Sequence, residues 1–194
     1  MAAEFLPGGN NLYIIAADAD GDLHVMQFDP ESPESERGTE LLHRSTFYSG
    51  SFVSNMILLP RNEGPREDSE SSLADKNFAS NSFETAQQQV LLTSQEGSVG
   101  LITPLPEQSY RRLLALQNIL TANLEHPCGL NPRAYRAVET DGIGGAAMVD
   151  GNLVQRWLDQ DSFHQGSMAD KVGSTAWELR EDLNEISGSS LIVL

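Results

Sequence analysis

Apolar and polar positions change rhythm once along this chain, between Val99 and Gln108. Val99, Leu101 and Thr103 alternate with Gly100 and Ile102, the period-two pattern of a buried strand. Pro104 and Pro106 then forbid both a longer ladder and an early helix. From Gln108 the period lengthens to about 3.6. Tyr110, Leu113, Leu114, Gln117, Leu120 and Leu124 fall on one face, with Leu116 and Ile119 beside it. A stripe that wide predicts a helix from Gln108 to about Glu125, packed on more than one side.

Everything upstream reads as strand and turn. Leu12–Ala17 and Leu23–Phe28 form a hairpin around Asp18-Ala-Asp-Gly21, with Leu23, Val25 and Gln27 on one face. Residues 29–40 are a polar, proline-punctuated loop. Leu41–Phe47 and Phe52–Leu59 flank a turn at Ser49-Gly50-Ser51, and Val90–Thr93 pairs with Val99–Thr103 across Ser94–Ser98. Residues 60–86, rich in Ser, Glu, Asp and Asn, read as a disordered acidic loop. About six strands in this half leave open edges, and membership of a larger propeller is one way to cover them.

Everything downstream reads as helix. His126-Pro127 stops the first one, and Asn131 caps a second, NPRAYRAV, with Pro132 in its first turn. Residues 139–149 are a glycine-rich connector. Asp150 caps a third helix whose buried stripe is Leu153, Val154, Trp157 and Leu158. A weaker segment spans Ser162–Val172, ended by Gly173. Ser174 or Thr175 caps the last helix, with Trp177, Leu179, Leu183 and Ile186 pointing inward. Leu191–Leu194 is an apolar tail that docks or frays.

Charge narrows the function. The 194 residues carry 12 Lys and Arg against 28 Asp and Glu, a net charge of -16. Residues 1–107 hold 17 of the acids and only 5 of the bases. Such a surface repels phosphate backbones, which argues against general nucleic-acid binding. Cys128 is the only cysteine, so no intramolecular disulfide and no thiolate cluster can form, as suits a reducing compartment. No apolar run is long enough to span a bilayer, and MAAEFLPGG lacks the features of a secretory signal.

Candidate chemistry is sparse. His24, His43, His126 and His164 are scattered, Gly142-Ile-Gly-Gly145 lacks the setting of a phosphate loop, and Asp18-Ala-Asp-Gly-Asp22 has turn spacing rather than calcium-loop spacing. No catalytic, cofactor or metal site is expected. Four arginines stand out. Arg111 and Arg112 enter the first helix side by side, about 100° apart, and Arg133 and Arg136 share a face of the second. They are candidates for a phosphate or an acidic partner, or for salt bridges to the acidic surface. Arg111 and Arg112 are expected to be partly exposed.

One segment carries more than its spacing. SVGLITPLPEQSYRRLLALQNILTANLEHPCGLNPRAYR, residues 98–136, resembles the C-terminal region of the largest subunit of the cleavage and polyadenylation specificity factor. ADADGDLHVMQFDPESPES and LLHRSTFYSGSFVSNMILLPR upstream resemble that family's strands, and VDGNLVQRWLDQ downstream its Asp-Gly-x-Leu helix start. The latter also occurs in the related damaged-DNA-binding large subunit. The acidic loop 60–86 and the glycines of 139–149 depart from the pattern.

The resemblance implies an α+β chain by segments: terminal strands of a β-propeller in residues 1–107, then a small C-terminal helical domain in 108–194. It implies a nuclear scaffold in pre-mRNA 3′-end cleavage and polyadenylation, neither nuclease nor polymerase, with no cofactor and no membrane. Its implied partners are other subunits, propeller-type and zinc-finger, and pre-mRNA contacted indirectly. The alternative is a substrate-receptor scaffold of a cullin-type ubiquitin ligase, like the damaged-DNA-binding relative.

Overall fold

The computed structural model describes residues 2–8, 11–59, 88–136 and 147–188. The acidic loop 60–86, most of the glycine-rich connector and the tail Leu191–Leu194 lie outside the described residues.

Among the described residues, seven antiparallel strands form two sheets. The first contains β1 (Ala2–Gly8), β2 (Asn11–Ala17), β3 (Asp22–Phe28) and β4 (Leu42–Tyr48), paired in that order. The second contains β5 (Val53–Leu59), β6 (Gln89–Ser94) and β7 (Val99–Ile102). The two sheets do not close into a propeller among the described residues. They meet face to face through β1 and β5. Ile15, Leu23, Val53, Met56, Val90 and Leu92 form the core between them.

The strand β1 goes beyond the expectation from sequence. Pro7 and Gly8 disguise it, yet β1 is an edge strand, where a missing N–H is tolerated. Its Leu6 is buried in the inter-sheet core. The first hairpin is as expected: Asp18 Oδ1 accepts from the N–H of Asp20 at 2.9 Å and of Asp22 at 2.8 Å. These are turn bonds, and they occupy the carboxylate that a calcium loop would need.

Five α-helices follow among the described residues: α1 (Glu107–Asn123), α2 (Pro132–Arg136), α3 (Gly151–Gln155), α4 (Ser162–Val172) and α5 (Ala176–Gly188). Leu113, Leu116 and Leu120 of α1 are fully buried against Leu153, Val154, Trp157, Met168, Leu179 and Leu183. Burying each such leucine contributes about 1.5–3 kcal/mol. The buried stripe is thus narrower than the sequence suggested. Tyr110, Leu114 and Gln117 are only half-buried, because they flank the stripe centred on Leu113, Leu116 and Leu120 that meets α3, α4 and α5. Two inward assignments are corrected. Trp177 is 73% exposed and Leu158 is 40% exposed. Trp177 lies two residues before Leu179, about 200° around α5, so it points away from the core that Leu179 and Leu183 enter.

Candidate interface between the strands and the helices

Among the described residues two polar nodes hold the helices, and a local rule starts the first. Asn131 opens α2, its Oδ1 accepting from the Arg133 N–H at 2.9 Å, with Pro132 in the first turn. The short helix ends at Arg136, whose side chain turns to β4. Arg136 Nη1 donates to the carbonyls of Tyr48 at 2.7 Å and Ser49 at 3.1 Å, and Nε donates to Asp150 Oδ2 at 2.8 Å. Its guanidinium lies 4.8 Å from the Phe47 ring centroid and 5.0 Å from that of Tyr135. The Tyr48 and Tyr135 rings meet edge to face at 5.3 Å. Gly50, at φ 86°, lets Tyr135 approach, since a Cβ there would run into the tyrosine hydroxyl.

Asp150 does three jobs. Its Oδ2 holds Arg136, its Oδ1 caps α3 by accepting from the Asn152 N–H at 3.1 Å, and its own N–H donates to Gln117 Oε1 at 2.7 Å. One residue therefore joins α1, α2 and α3, and through Arg136 joins them to β4.

The second node lies within the helices. Arg112 donates from Nε and Nη2 to the two oxygens of Asp182, both at 2.7 Å, and Ser109 Oγ donates to the same carboxylate at 2.8 Å. Asp182 is only 5% exposed. The hydrogen bonds to its carboxylate push the Arg112 pKa above its ordinary value. At the start of α5, Thr175 and Glu178 form a capping box. The Thr175 N–H, then the Ser174 and Thr175 hydroxyls, hold the Glu178 carboxyl down at about 2.

The four arginines singled out by sequence thus divide. Arg112 and Arg136 serve internal contacts, and Arg112 is partly exposed, at 28% of its side chain. Arg111 is exposed and pairs with Glu107 one turn earlier. Arg133 is exposed, and no described residue bonds its side chain. Sequence reasoning also missed a cross-strand cluster. Pairing of β3 with β4 brings the His24 and His43 rings to 5.9 Å, with Thr46 Oγ1 2.8 Å from His43 Nε2 and Asp18 Oδ2 3.3 Å from His24 Nε2. Sequence separation hid that pair. Among the described residues, no group of three or more His, Cys, Asp or Glu is placed to hold a metal ion, and no helix is long and apolar enough to cross a membrane.

A cleft of about 730 Å³ opens between the sheets and the helices. Leu23, Val25 and Phe47 line its sheet side, and Tyr110 and Met148 its helical side.

Comparison with known proteins gives these features a setting. Residues 1–159 match the family described as the CPSF A subunit region. A protein of Aspergillus fumigatus named cft1 is 51% identical over 191 residues, covering 98% of this chain and 13% of that protein. The Neurospora crassa protein of the same name is 39% identical over 184 residues, covering 89% of this chain and 12% of that protein. The Drosophila melanogaster cleavage and polyadenylation specificity factor subunit 1 is 30% identical over 188 residues, 94% of this chain and 12% of that protein. This chain spans about an eighth of the length of these relatives. On the extent of the matched residues and on these identities, the chain belongs to the CPSF A subunit region family.

Proposed function

We propose that this chain is a scaffold element in pre-mRNA 3′-end cleavage and polyadenylation, holding other subunits of the processing factor and contributing to recognition of the polyadenylation signal. The observation that carries this reading is similarity over nearly the whole chain to a protein named as a cleavage and polyadenylation specificity factor subunit. That name supports this branch over the ubiquitin-ligase alternative. In this proposal residues 1–107 act as part of a propeller and residues 108–194 as a helical domain. The work is done in the nucleus, with propeller-type and zinc-finger subunits as partners and no catalysis by this chain. The exposed Arg111 and Arg133 are the candidates for contacts with an acidic partner, since Arg112 and Arg136 are engaged internally. A net charge of -16 favours indirect contact with RNA through those partners. Pull-down of the tagged chain from nuclear extract tests the reading. Recovery of polyadenylation factors supports it, and recovery of cullin ligase components in their place overturns it.

A further inference from the structure

Residues 126–138 hold no Asp or Glu, in a chain whose net charge is -16, and they hold Arg133 and Arg136. The structure describes them as far as Arg136. They run from the end of α1 through a 3-10 turn at Pro127–Gly129 into α2. From Pro127 to Tyr135 every residue of this strap except Pro132 is exposed. Leu130 is 60% exposed, although it is apolar and lies between two ordered turns.

Both ends of the strap are fixed. At one end Arg136 grips β4. At the other, His126 Nε2 donates to the Thr121 carbonyl at 2.9 Å, which leaves Nδ1 to accept from Arg156 Nη1 at 3.4 Å. Between them the Gly129 N–H donates to the His126 carbonyl at 3.0 Å and the Leu130 N–H to the Pro127 carbonyl at 3.2 Å. These bonds keep Cys128 at φ 57°, a left-handed conformation that a residue with a side chain holds only when its neighbours enforce it. Leu130 is therefore presented to solvent by an ordered backbone.

Two cations accompany it. No described residue bonds the Arg133 side chain. Arg156, at the end of α3, donates to the Glu125 carbonyl at 2.9 Å and to His126, both uncharged acceptors. By contrast, Arg112 and Arg136 each hold a carboxylate. Arg133 and Arg156 thus keep an uncompensated positive charge beside exposed apolar groups, on a molecule that is otherwise strongly acidic.

We propose that residues 126–136, with Arg156, dock an acidic peptide segment of another subunit, one that carries a large apolar side chain among its acids. Its carboxylates pair with the Arg133 and Arg156 guanidinium groups, which bind a carboxylate through two parallel hydrogen bonds. Its apolar side chain covers Leu130 and Pro127. RNA fits less well, because a run of phosphates would extend past the strap onto the surrounding acids. That the segment belongs to another subunit rests on the scaffold role proposed above; the chemistry of the surface does not.

The test is fluorescence anisotropy on the intact chain with a labelled glutamate-rich peptide that has one central leucine. Binding is expected, although the net charge of the chain would by itself repel such a peptide. Arg133→Glu should weaken it by roughly tenfold or more, as loss of a charge-assisted pair requires. Leu130→Ser, or alanine in place of the peptide's leucine, should weaken it as well. Trp177→Ala removes an exposed apolar group elsewhere and should change nothing. All three protein positions are exposed, so circular dichroism should report the same fold for each variant. Failure of the glutamate peptide to bind, equal binding by Arg133→Glu, or tighter binding of a lysine-rich counterpart or a single-stranded RNA oligomer overturns the proposal. Repeating the nuclear-extract pull-down with Arg133→Glu and Leu130→Ser combined separates it from the scaffold role. Loss of a polyadenylation factor that the unsubstituted chain recovers supports the docking surface. Unchanged recovery overturns the assignment to another subunit and leaves the scaffold role standing.

Discussion

Asp150 shows how much one side chain can be asked to hold. It caps a helix and neutralises an arginine, and both groups of the pair are largely withdrawn from water, at 12% and 17% side-chain exposure. Asp150→Ala removes both functions at once. Loss of a cap costs about 0.5–2 kcal/mol, and stranding a buried partner charge costs up to about 3–5 kcal/mol. Asp150→Asn keeps a good capping oxygen and should therefore be measurably more stable than the alanine variant. Urea unfolding followed by circular dichroism separates the two, and equal midpoints would mean the cap contributes nothing. Arg112 and Arg111 make a second contrast between sequence neighbours. Arg112→Ala strands the buried Asp182, whereas Arg111→Ala removes only an exposed pair worth less than about 1 kcal/mol. The same denaturation measurement should show a large shift for the first and almost none for the second.

At the scale of elements, α1 is the core of the helical part. Leu113→Ala or Leu120→Ala should cost about 2–5 kcal/mol, since both side chains are fully buried. Trp177→Ala, despite the larger side chain removed, should shift the melting midpoint little because that residue faces solvent. The start of α5 adds a pH dependence. The Glu178 pKa is depressed from 4.5 to about 2, so its stabilising bonds are fully present above 4.5 and are lost as pH falls through 2. Glu178→Gln should therefore lose less stability than the unsubstituted chain between those limits, as thermal melts across that range will show. The positions of α1, α3, α4 and α5 were legible from period and caps, because Asp150, Gly173 and Thr175 obey local rules. The width of the buried stripe on α1 was not, since apolar period points Leu113 and Leu120 inward but cannot say that Leu116 is fully buried while Leu114 is only half-buried. β1 was hidden by Pro7, whose cost depends on edge position. The Asp182 and Asp150 nodes were hidden too, because they join residues 70 and 14 positions apart.

Over the whole molecule, charge and connectivity set the behaviour. Direct RNA binding should be weak and should fall further as salt rises, because few cations remain unpaired on an acidic surface. Filter binding at two salt concentrations checks this, and tight, salt-resistant retention would contradict it. The two apolar clusters share no residue. The helices are tied to the strands covalently at Thr103–Pro106 and, some thirty residues on, by the Arg136 grip on the Tyr48 and Ser49 carbonyls. In mechanical terms the second tie is a rivet: among the described residues, a load that pulls α2 away from the sheet is carried by those two hydrogen bonds, the Tyr48–Tyr135 edge contact and the Arg136–Phe47 contact, all at the end of β4.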